Sequence, residues 1–359
     1  MERQFSKSLT VILVGILLSL LTAEVVSRRL FSFELAFDKE LKEFVFAPGS
    51  WVRFRLEGDG LSRWTSHGVR RAEMPSSSAQ SSILVLGDSF TEALQVSDGE
   101  VYSARLEREL LAKGIHRAVL NFGKSSCSLA DYIGLAERNK RLFNPIWTVI
   151  QVQESDFTTD AWNSRKVNRS TGYFYRDTAS GRLRVSGPRP VELKERGWFR
   201  DFTMKLRNES AFVQFAFERV EELQLWVEHE PALFRAAAPA EKVTDSETWH
   251  DFPIKEELEW LAESYSGRLT LLLISECNAA SNGSPSEFET YLARLANEKG
   301  IGVVALSAQC PSLLANGESP FGFSNGVFNK GHMNSLGHSL AASKLAGEIL
   351  RVFTENGIH

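Results

Sequence analysis

The chain has 359 residues, 43% hydrophobic and 24% charged, ample apolar content for one large domain with insertions or two small domains. A net charge of -4 and an isoelectric point near 6.1 leave no basis for nucleic-acid binding through phosphate neutralisation. Eight tryptophans and 24 phenylalanines serve core packing first, and sugar-stacking or acyl-binding surfaces second.

Arg3 and Lys7 precede Leu9–Ala23, an apolar stretch broken only by small or hydroxyl residues, and Val25 and Val26 extend it past Glu24. As a helix, Leu9–Val26 reaches the short end of the roughly 17–25 residues that cross a bilayer. A cleavable signal peptide has the same layout, but no good Ala-x-Ala site follows. Residues 1–30 are therefore expected to be an uncleaved membrane anchor rather than a signal segment. Arg28 and Arg29 offset Arg3 and Lys7, so orientation stays open. Residues 31–80 form a connector, with Pro48, Gly49 and Trp51 and a small, polar stretch over Pro75–Ser82.

From Ser82 the pattern changes. Ile83–Leu86 is a continuous apolar run, as in a strand buried on both faces. Val101, Leu106 and Leu110 set a helical spacing over Val101–Lys113, closed by Gly114. Ala118–Asn121 and Trp147–Val152 read as further buried strands, with a helix over Leu129–Leu142 stopped before Pro145. The later half repeats this order: helix Ile254–Tyr265, strand Leu269–Ile274, helix Glu287–Lys299, strand Gly302–Leu306 and helix Ser335–Phe353. Strands alternating with helices predict an α/β domain on a parallel sheet covered on both faces. Its two parts are residues 81–157 and 252–359.

Between them, residues 158–251 lose the rhythm. Tyr173–Asp177 and Arg182–Val185 flank Thr178–Gly181 as a β-hairpin, Trp198–Glu230 reads as helical, and Ala236–Thr248 as a loop. This stretch is read as an insertion forming a lid or a wall of the site, since ligands of open α/β sheets bind at the strand C-termini. Cys277 and Cys310 each follow an apolar run read as a strand, so they could meet at one sheet edge. If the domain lies outside the cytoplasm, these two are expected to be bridged and Cys127 free. There is no CxxC and no His–Cys spacing that suits zinc.

Two words at opposite ends of the chain carry the chemistry. Gly87-Asp88-Ser89 breaks off the strand Ile83–Leu86, and Gly331-His332 stands just before the last helix. A serine at a strand end and a distant histidine are the nucleophile and base of a serine esterase. The Gly-Asp-Ser word, with Asn121-Phe122-Gly123-Lys124-Ser125, Gln153-Glu154-Ser155-Asp156 and Gly331-His332, resembles the SGNH/GDSL hydrolases. Ser66-His67-Gly68-Val69-Arg70 and Leu94-Gln95-Val96 are similar to membrane-anchored bacterial members. The resemblance covers Ser66–Phe157 and Leu269–Phe353.

It implies a flavodoxin-like three-layer sandwich with Ser89 as nucleophile, His332 as base and no metal or organic cofactor. It also implies an oxyanion hole from the N–H groups of Ser89 and Ser126, with Ser155 where the family places an asparagine. Ser126 stands at a family glycine position, where a backbone N–H survives if the backbone angles tolerate a side chain. The Ser155 hydroxyl reaches less far than an asparagine amide, and losing one oxyanion donor costs about 10²–10³ in rate. The family's orienting aspartate would fall at Asn329 or Lys330, and neither supplies a carboxylate. In a triad protease that loss costs about 10⁴, which leaves a Ser–His dyad with a backbone carbonyl fixing the imidazole tautomer.

The remaining candidates read as structural. Asp88 fixes the turn, Asn334 caps the final helix, and His338 packs within that helix. His67, His116, His229 and His250 have no partner pattern, and Glu154 and Asp156 read as a solvated loop end. The leading expectation is a membrane-anchored, extracytoplasmic serine esterase or O-acyltransferase acting on an acyl ester, with O-acetylated envelope carbohydrate as the substrate class implied by the resemblance. The rival is a catalytically impaired relative kept as a carbohydrate-binding or assembly component. A third reading, a scaffold docking a partner through Trp198–Trp226, rests on aromatic content alone.

Overall fold

The computed structural model describes residues 2–30, 35–38, 43–55, 57–65, 68–71, 82–125, 127, 129–132, 145–157, 173–181, 183–186, 252–265, 268–275, 277 and 284–355, with single positions between 206 and 249. The chain divides into two compact units, Met1–Val52 with Leu193–Val243, and Arg53–Glu192 with Thr244–His359.

In the first unit, α1 spans Glu2–Leu30. Its apolar residues between Val11 and Val26 are largely exposed, Leu13 and Leu17 by more than half. Among the described residues no helix is long and apolar enough to cross a membrane. Glu24, the charge within the apolar run, accepts hydrogen bonds from Ser210 Oγ at 2.7 Å and Phe212 N–H at 3.0 Å. Strands β1 (Leu35–Asp38) and β2 (Glu43–Phe46) pair antiparallel.

The second unit holds the α/β domain. Strands β3 (Trp51–Phe54) and β4 (Gly60–Arg63) form a two-stranded ribbon. Next come β5 (Ile83–Leu86), α2 (Ser89–Glu92), α3 (Tyr102–Ala112), β6 (Val119–Asn121) and β7 (Trp147–Val152). The hairpin β8 (Tyr173–Arg176) and β9 (Leu183–Ser186) pairs antiparallel, as the sequence around Thr178–Gly181 predicts. After it come α4 (Ile254–Tyr265), β10 (Leu269–Leu273), α5 (Glu287–Glu298), β11 (Gly302–Ala305), α6 (Cys310–Ala315) and α7 (Ser335–Glu355). The helices expected over Leu129–Leu142 and Trp198–Glu230, and the loop Ala236–Thr248, lie mostly outside the described residues.

The five-stranded sheet is parallel throughout, in the order β11-β10-β7-β5-β6. Counted by appearance within this sheet, that order is 2-1-3-4-5, the flavodoxin-like winding. The chain leaves β5 for β6 on one side and returns to β7 on the other. The switch point, where ligands of such sheets bind, therefore lies between the C-terminal ends of β5 and β7.

Both faces of the sheet are covered. On one, Ile83, Val85, Val149 and Leu272 pack against Leu106 of α3 and Leu345 of α7. The alternate residues Leu84, Leu86, Leu271 and Leu273 point the opposite way and are equally buried. Helices α4 and α5 contact each other and strands β10 and β11. This two-sided burial is why the strands read as unbroken apolar runs. Gly114 closes α3 at φ +82°. Cys277 and Cys310 are joined by a disulfide with Cα atoms 5.2 Å apart, and Cys127 takes no part in one.

One buried group works against this core. Glu257 on α4 is fully buried, and neither of its carboxyl oxygens has a hydrogen-bond partner among the described residues. Burial, then the nearby Asp156 carboxyl, hold its pKa well above the usual carboxylate range. A carboxyl raised in the folded state stays protonated where the unfolded chain would ionise, so its penalty is absent at pH 4 and grows as pH rises above the unfolded value. Each unit of raised pKa corresponds to about 1.4 kcal/mol. Glu257→Gln is expected to raise the unfolding free energy in urea by about 1 kcal/mol or more at pH 8 and to leave it nearly unchanged at pH 4. An equal change at both pH values would contradict this account.

Candidate active site

Strand β5 ends at Leu86 and turns through Gly87 and Asp88 into α2, which begins at Ser89. Gly87 is required by space and not by a left-handed backbone. A Cβ there would lie 2.0 Å from Thr91 Oγ1 and 2.5 Å from Gln151 Oε1. Asp88 holds the turn: Oδ1 accepts from the Phe90 N–H at 2.9 Å, and its own N–H donates to Gln151 Oε1 at 3.1 Å. Burial, opposed by these bonds, raises its pKa. Asp88 is thus a cap and not a reactant, as its position in the sequence suggests.

A helix of one turn has no stability of its own, so α2 is held from outside. The buried guanidinium of Arg70 donates to the carbonyls of Glu92, Ala93 and Val96 and pairs with Asp98 at 3.1 Å. Asn121 Nδ2 donates to Thr91 O at 2.8 Å. At Gly123 a Cβ would sit 2.2 Å from Glu92 N. The motif around Arg70 and the block Asn121–Gly123 therefore position α2 and with it Ser89. Ser89 lies at the end of β5 beside the switch point, and its N–H is among the helix-start groups that have no intrahelical acceptor.

His332 follows a loop over residues 322–331 that is closed by the antiparallel bridge Phe321–Met333 and by Gly322 N–H donating to His332 O at 3.0 Å. Its Nε2 stands 2.8 Å from Ser89 Oγ. The two residues, 243 positions apart, are within hydrogen-bond reach, the geometry a nucleophile and its base require. The ring of Phe90 lies 5.0 Å from the imidazole, centroid to centroid.

The acid that the sequence reading found missing is present, from a different part of the chain. Glu57, in the turn between β3 and β4, places Oε2 2.5 Å from His332 Nδ1 and accepts from the His332 N–H on Oε1 at 2.9 Å. Burial pushes the Glu57 pKa up. The hydrogen bonds from the His332 ring and backbone N–H, together with the imidazole charge, outweigh burial, so the carboxyl sits below its ordinary value. Glu57 is then ionised at neutral pH. An ionised acceptor on Nδ1 fixes the tautomer that leaves Nε2 free to take a proton from Ser89. Gly331 makes room for it: φ is +83°, and a Cβ there would lie 2.1 Å from Glu57 Oε1.

Asn329, the possible orienting position, does not take that role, and the Glu57 carboxyl stands at Nδ1 where a backbone carbonyl is expected from the sequence. Asn329 adopts φ +58°; its Nδ2 donates to Cys277 O at 2.9 Å and its Oδ1 accepts from Ser319 Oγ at 2.8 Å. Its amide is occupied in tying the His332 loop to the backbone beside the disulfide. No spacing rule links Glu57 to His332, 275 residues away. The only local signal is an acid set against glycine in Glu57-Gly58-Asp59-Gly60, within a stretch read as connector.

The other candidates divide as follows. Ser126 lies outside the described residues. The preceding Ser125 is held by the buried Glu92 carboxylate, which accepts from its N–H at 2.9 Å and from its hydroxyl. Ser155 is exposed on the short 3-10 turn Glu154–Phe157. Gln153, unforeseen in the sequence, precedes that turn and reaches the Gly87–Ser89 loop, with Nε2 2.6 Å from Asp88 Oδ2. Glu154 is solvated as expected, but Asp156 is not. It is buried, accepts from the Gln153 N–H at 2.8 Å, and burial drives its pKa well up. Asn334 does cap α7, accepting from the N–H groups of Leu336 and Gly337. His338 is a buried packing residue: it stacks on Tyr102 and accepts the Tyr102 N–H on Nδ1 at 3.3 Å. Burial, then Arg70, Arg105 and His332, push its pKa down to about 3, so it stays neutral.

No family model and no curated protein sequence matches the chain. Among solved structures it is similar to an alpha/beta hydrolase enzyme from the metagenome of Lake Arreo, Spain, at 12% identity and a TM-score of 0.36 over 74% of this chain and 94% of that one. An acetylxylan esterase from Geobacillus stearothermophilus gives 13% identity and a TM-score of 0.34 over 76% and 96% of the two chains. Another acetyl xylan esterase gives 13% and 0.35 over 74% and 99%. Likeness this distant says nothing of what this chain acts on.

Among the described residues, Ser89 is the hydroxyl that lies within hydrogen-bond reach of His332 Nε2. A fluorophosphonate probe is expected to label the wild-type chain and not Ser89→Ala, as read by intact mass. Glu57→Gln is expected to slow labelling by about 100-fold or more, since loss of the orienting acid in a triad costs up to about 10⁴. Asn329→Ala is expected to slow it far less. Labelling unaffected by Glu57→Gln would remove the acid from the site.

Proposed function

We propose that the protein is a serine ester hydrolase or O-acyltransferase of the SGNH/GDSL type, working through an acyl-enzyme on Ser89. The observation that carries this reading is the continuous chain Ser89 Oγ–His332 Nε2 at 2.8 Å and His332 Nδ1–Glu57 Oε2 at 2.5 Å. Ser89 Oγ attacks the acyl carbonyl while His332 Nε2 takes its proton, and Glu57 stabilises the imidazolium through Nδ1–H. The oxyanion forms against the Ser89 N–H, with the Ser126 N–H and the Ser155 hydroxyl as the further donors of this reading. Collapse of the tetrahedral intermediate breaks the ester C–O bond, and His332 returns the proton to the departing alcohol. Water or a second hydroxyl then attacks the acyl-enzyme with the same base. An occupied acid position speaks against the impaired-relative alternative, because such a chain has no need to hold a partly buried carboxylate on the imidazole.

For the substrate we propose a neutral acylated carbohydrate of the cell envelope. Beside the His332 loop lies an open cavity of about 560 Å³ lined by Asp59, Glu100, Glu318, Phe323 and Phe328 among others. Gly322 and Phe328 of the loop that leads to His332 line it, and Ser89 and His332 do not. Carboxylates with aromatic rings suit a hydroxylated ligand and repel an anionic one. We further propose that the chain is membrane-attached and faces an oxidising compartment. The exposed apolar side chains of α1 and the disulfide Cys277–Cys310 support this.

p-Nitrophenyl acetate is expected to be hydrolysed by the wild-type protein and about 10³-fold more slowly, or not at all, by Ser89→Ala and His332→Ala. Equal rates in Ser89→Ala would defeat the mechanism. In a flotation assay the full chain is expected to rise with phosphatidylglycerol vesicles, and the double variant Leu13→Glu with Leu17→Glu to stay behind. Co-flotation of both would show that α1 does not provide the attachment.

A further inference from the structure

Glu57 is not part of the sheet that carries Ser89. It sits in a glycine-flanked turn, and what fixes that turn decides where its carboxylate stands. Asn325 grips the turn on both sides of the acid. Gly58 N–H donates to Asn325 Oδ1 at 2.8 Å, and Asn325 Nδ2 donates to Gly58 O at 3.0 Å and to Arg55 O at 3.2 Å. One amide thus satisfies one donor and two acceptors of the backbone that brackets Glu57, which uses its full bonding capacity except one acceptor site. Gly58 takes φ +76°, and a Cβ there would lie 2.3 Å from Gln95 O, so the turn is seated closely as well.

Asn325 lies 267 residues from Gly58 and seven before His332, in the loop over residues 322–331 that delivers the base. A single loop therefore presents the imidazole and clamps the acid that orients it. Asn325 itself is exposed, so truncating it removes these bonds without opening a cavity in the core.

We propose that Asn325 is a positioning residue that holds the Glu57 carboxylate at His332 Nδ1. The inference rests on the reading of Ser89, His332 and Glu57 as a triad. Asn325 acts only through Glu57 and so has no effect of its own once the acid is gone.

The test uses the full chain and two readouts. The first is the downfield proton resonance of His332 Nδ1–H in its bond to Glu57, identified by its loss in Glu57→Gln. The second is the hydrolysis of p-nitrophenyl acetate. Asn325→Ala is expected to abolish or broaden the resonance and to lower kcat about tenfold or more, with KM within about threefold and the thermal midpoint little changed. In a Glu57→Gln background the same substitution is expected to change kcat by less than about twofold. Asn325→Asp, which keeps the acceptor but sets a carboxylate oxygen against the Gly58 and Arg55 carbonyls, is expected to lose at least as much as the alanine variant and serves where that variant folds poorly. An intact resonance with unchanged kcat overturns the proposal, and so does an equal loss in both backgrounds. If hydrolysis proves independent of Ser89, the esterase reading fails and the resonance alone decides the role of Asn325. Absence of the resonance from the wild-type chain overturns both.

Discussion

The contact between the Glu57 carboxylate and His332 Nδ1 is the constraint on which the site depends. Without an acceptor at that nitrogen, the imidazole could place its proton on either side and turn away from the serine. Holding a partly buried carboxylate there carries a desolvation cost, which the ring and backbone hydrogen bonds of His332 offset. Two further features follow from it. Residue 331 must be glycine, because a side chain would occupy the space of Glu57 Oε1. The turn carrying Glu57 must also be tied to the His332 loop, since acid and base come from segments with no shared secondary structure.

Ser89 is held by the opposite strategy. Its helix is too short to persist unaided, and its geometry comes from groups at both ends. Asp88 and Gln151 fix the start, and the buried Arg70 gathers the carbonyls that emerge at the end. Burying a guanidinium is tolerable because three carbonyls and Asp98 take four of its five N–H donors. The segment ahead of the first strand of the five-stranded sheet, which reads as a mere connector, thus supplies both Arg70 to the helix of Ser89 and Glu57 to His332.

The parts of this arrangement that were legible in the sequence share one property: each is expressed within a few neighbouring residues. Ile83–Leu86 reads as a buried strand because both faces of a parallel sheet are covered. Asn334 reads as a cap, and Ser89 and His332 stand out through the short words around them. Asp156 was misread for the converse reason. Its sequence neighbourhood is polar, but the 3-10 turn at the end of β7 folds its carboxyl inward, and nothing local records that.

The sequence by itself determined the α/β class, the positions of most strands and helices, and the pairing of a serine with a histidine far downstream, because period and turn chemistry are local properties. Only the tertiary structure decided which group faces the second imidazole nitrogen. That choice assigned Glu57 to His332 and Asn329 to the backbone at Cys277, across separations of 275 and 52 residues. Contacts of that kind form when a finished sheet brings its loops to one edge. They depend on where backbones meet in space, and no spacing along the chain encodes them.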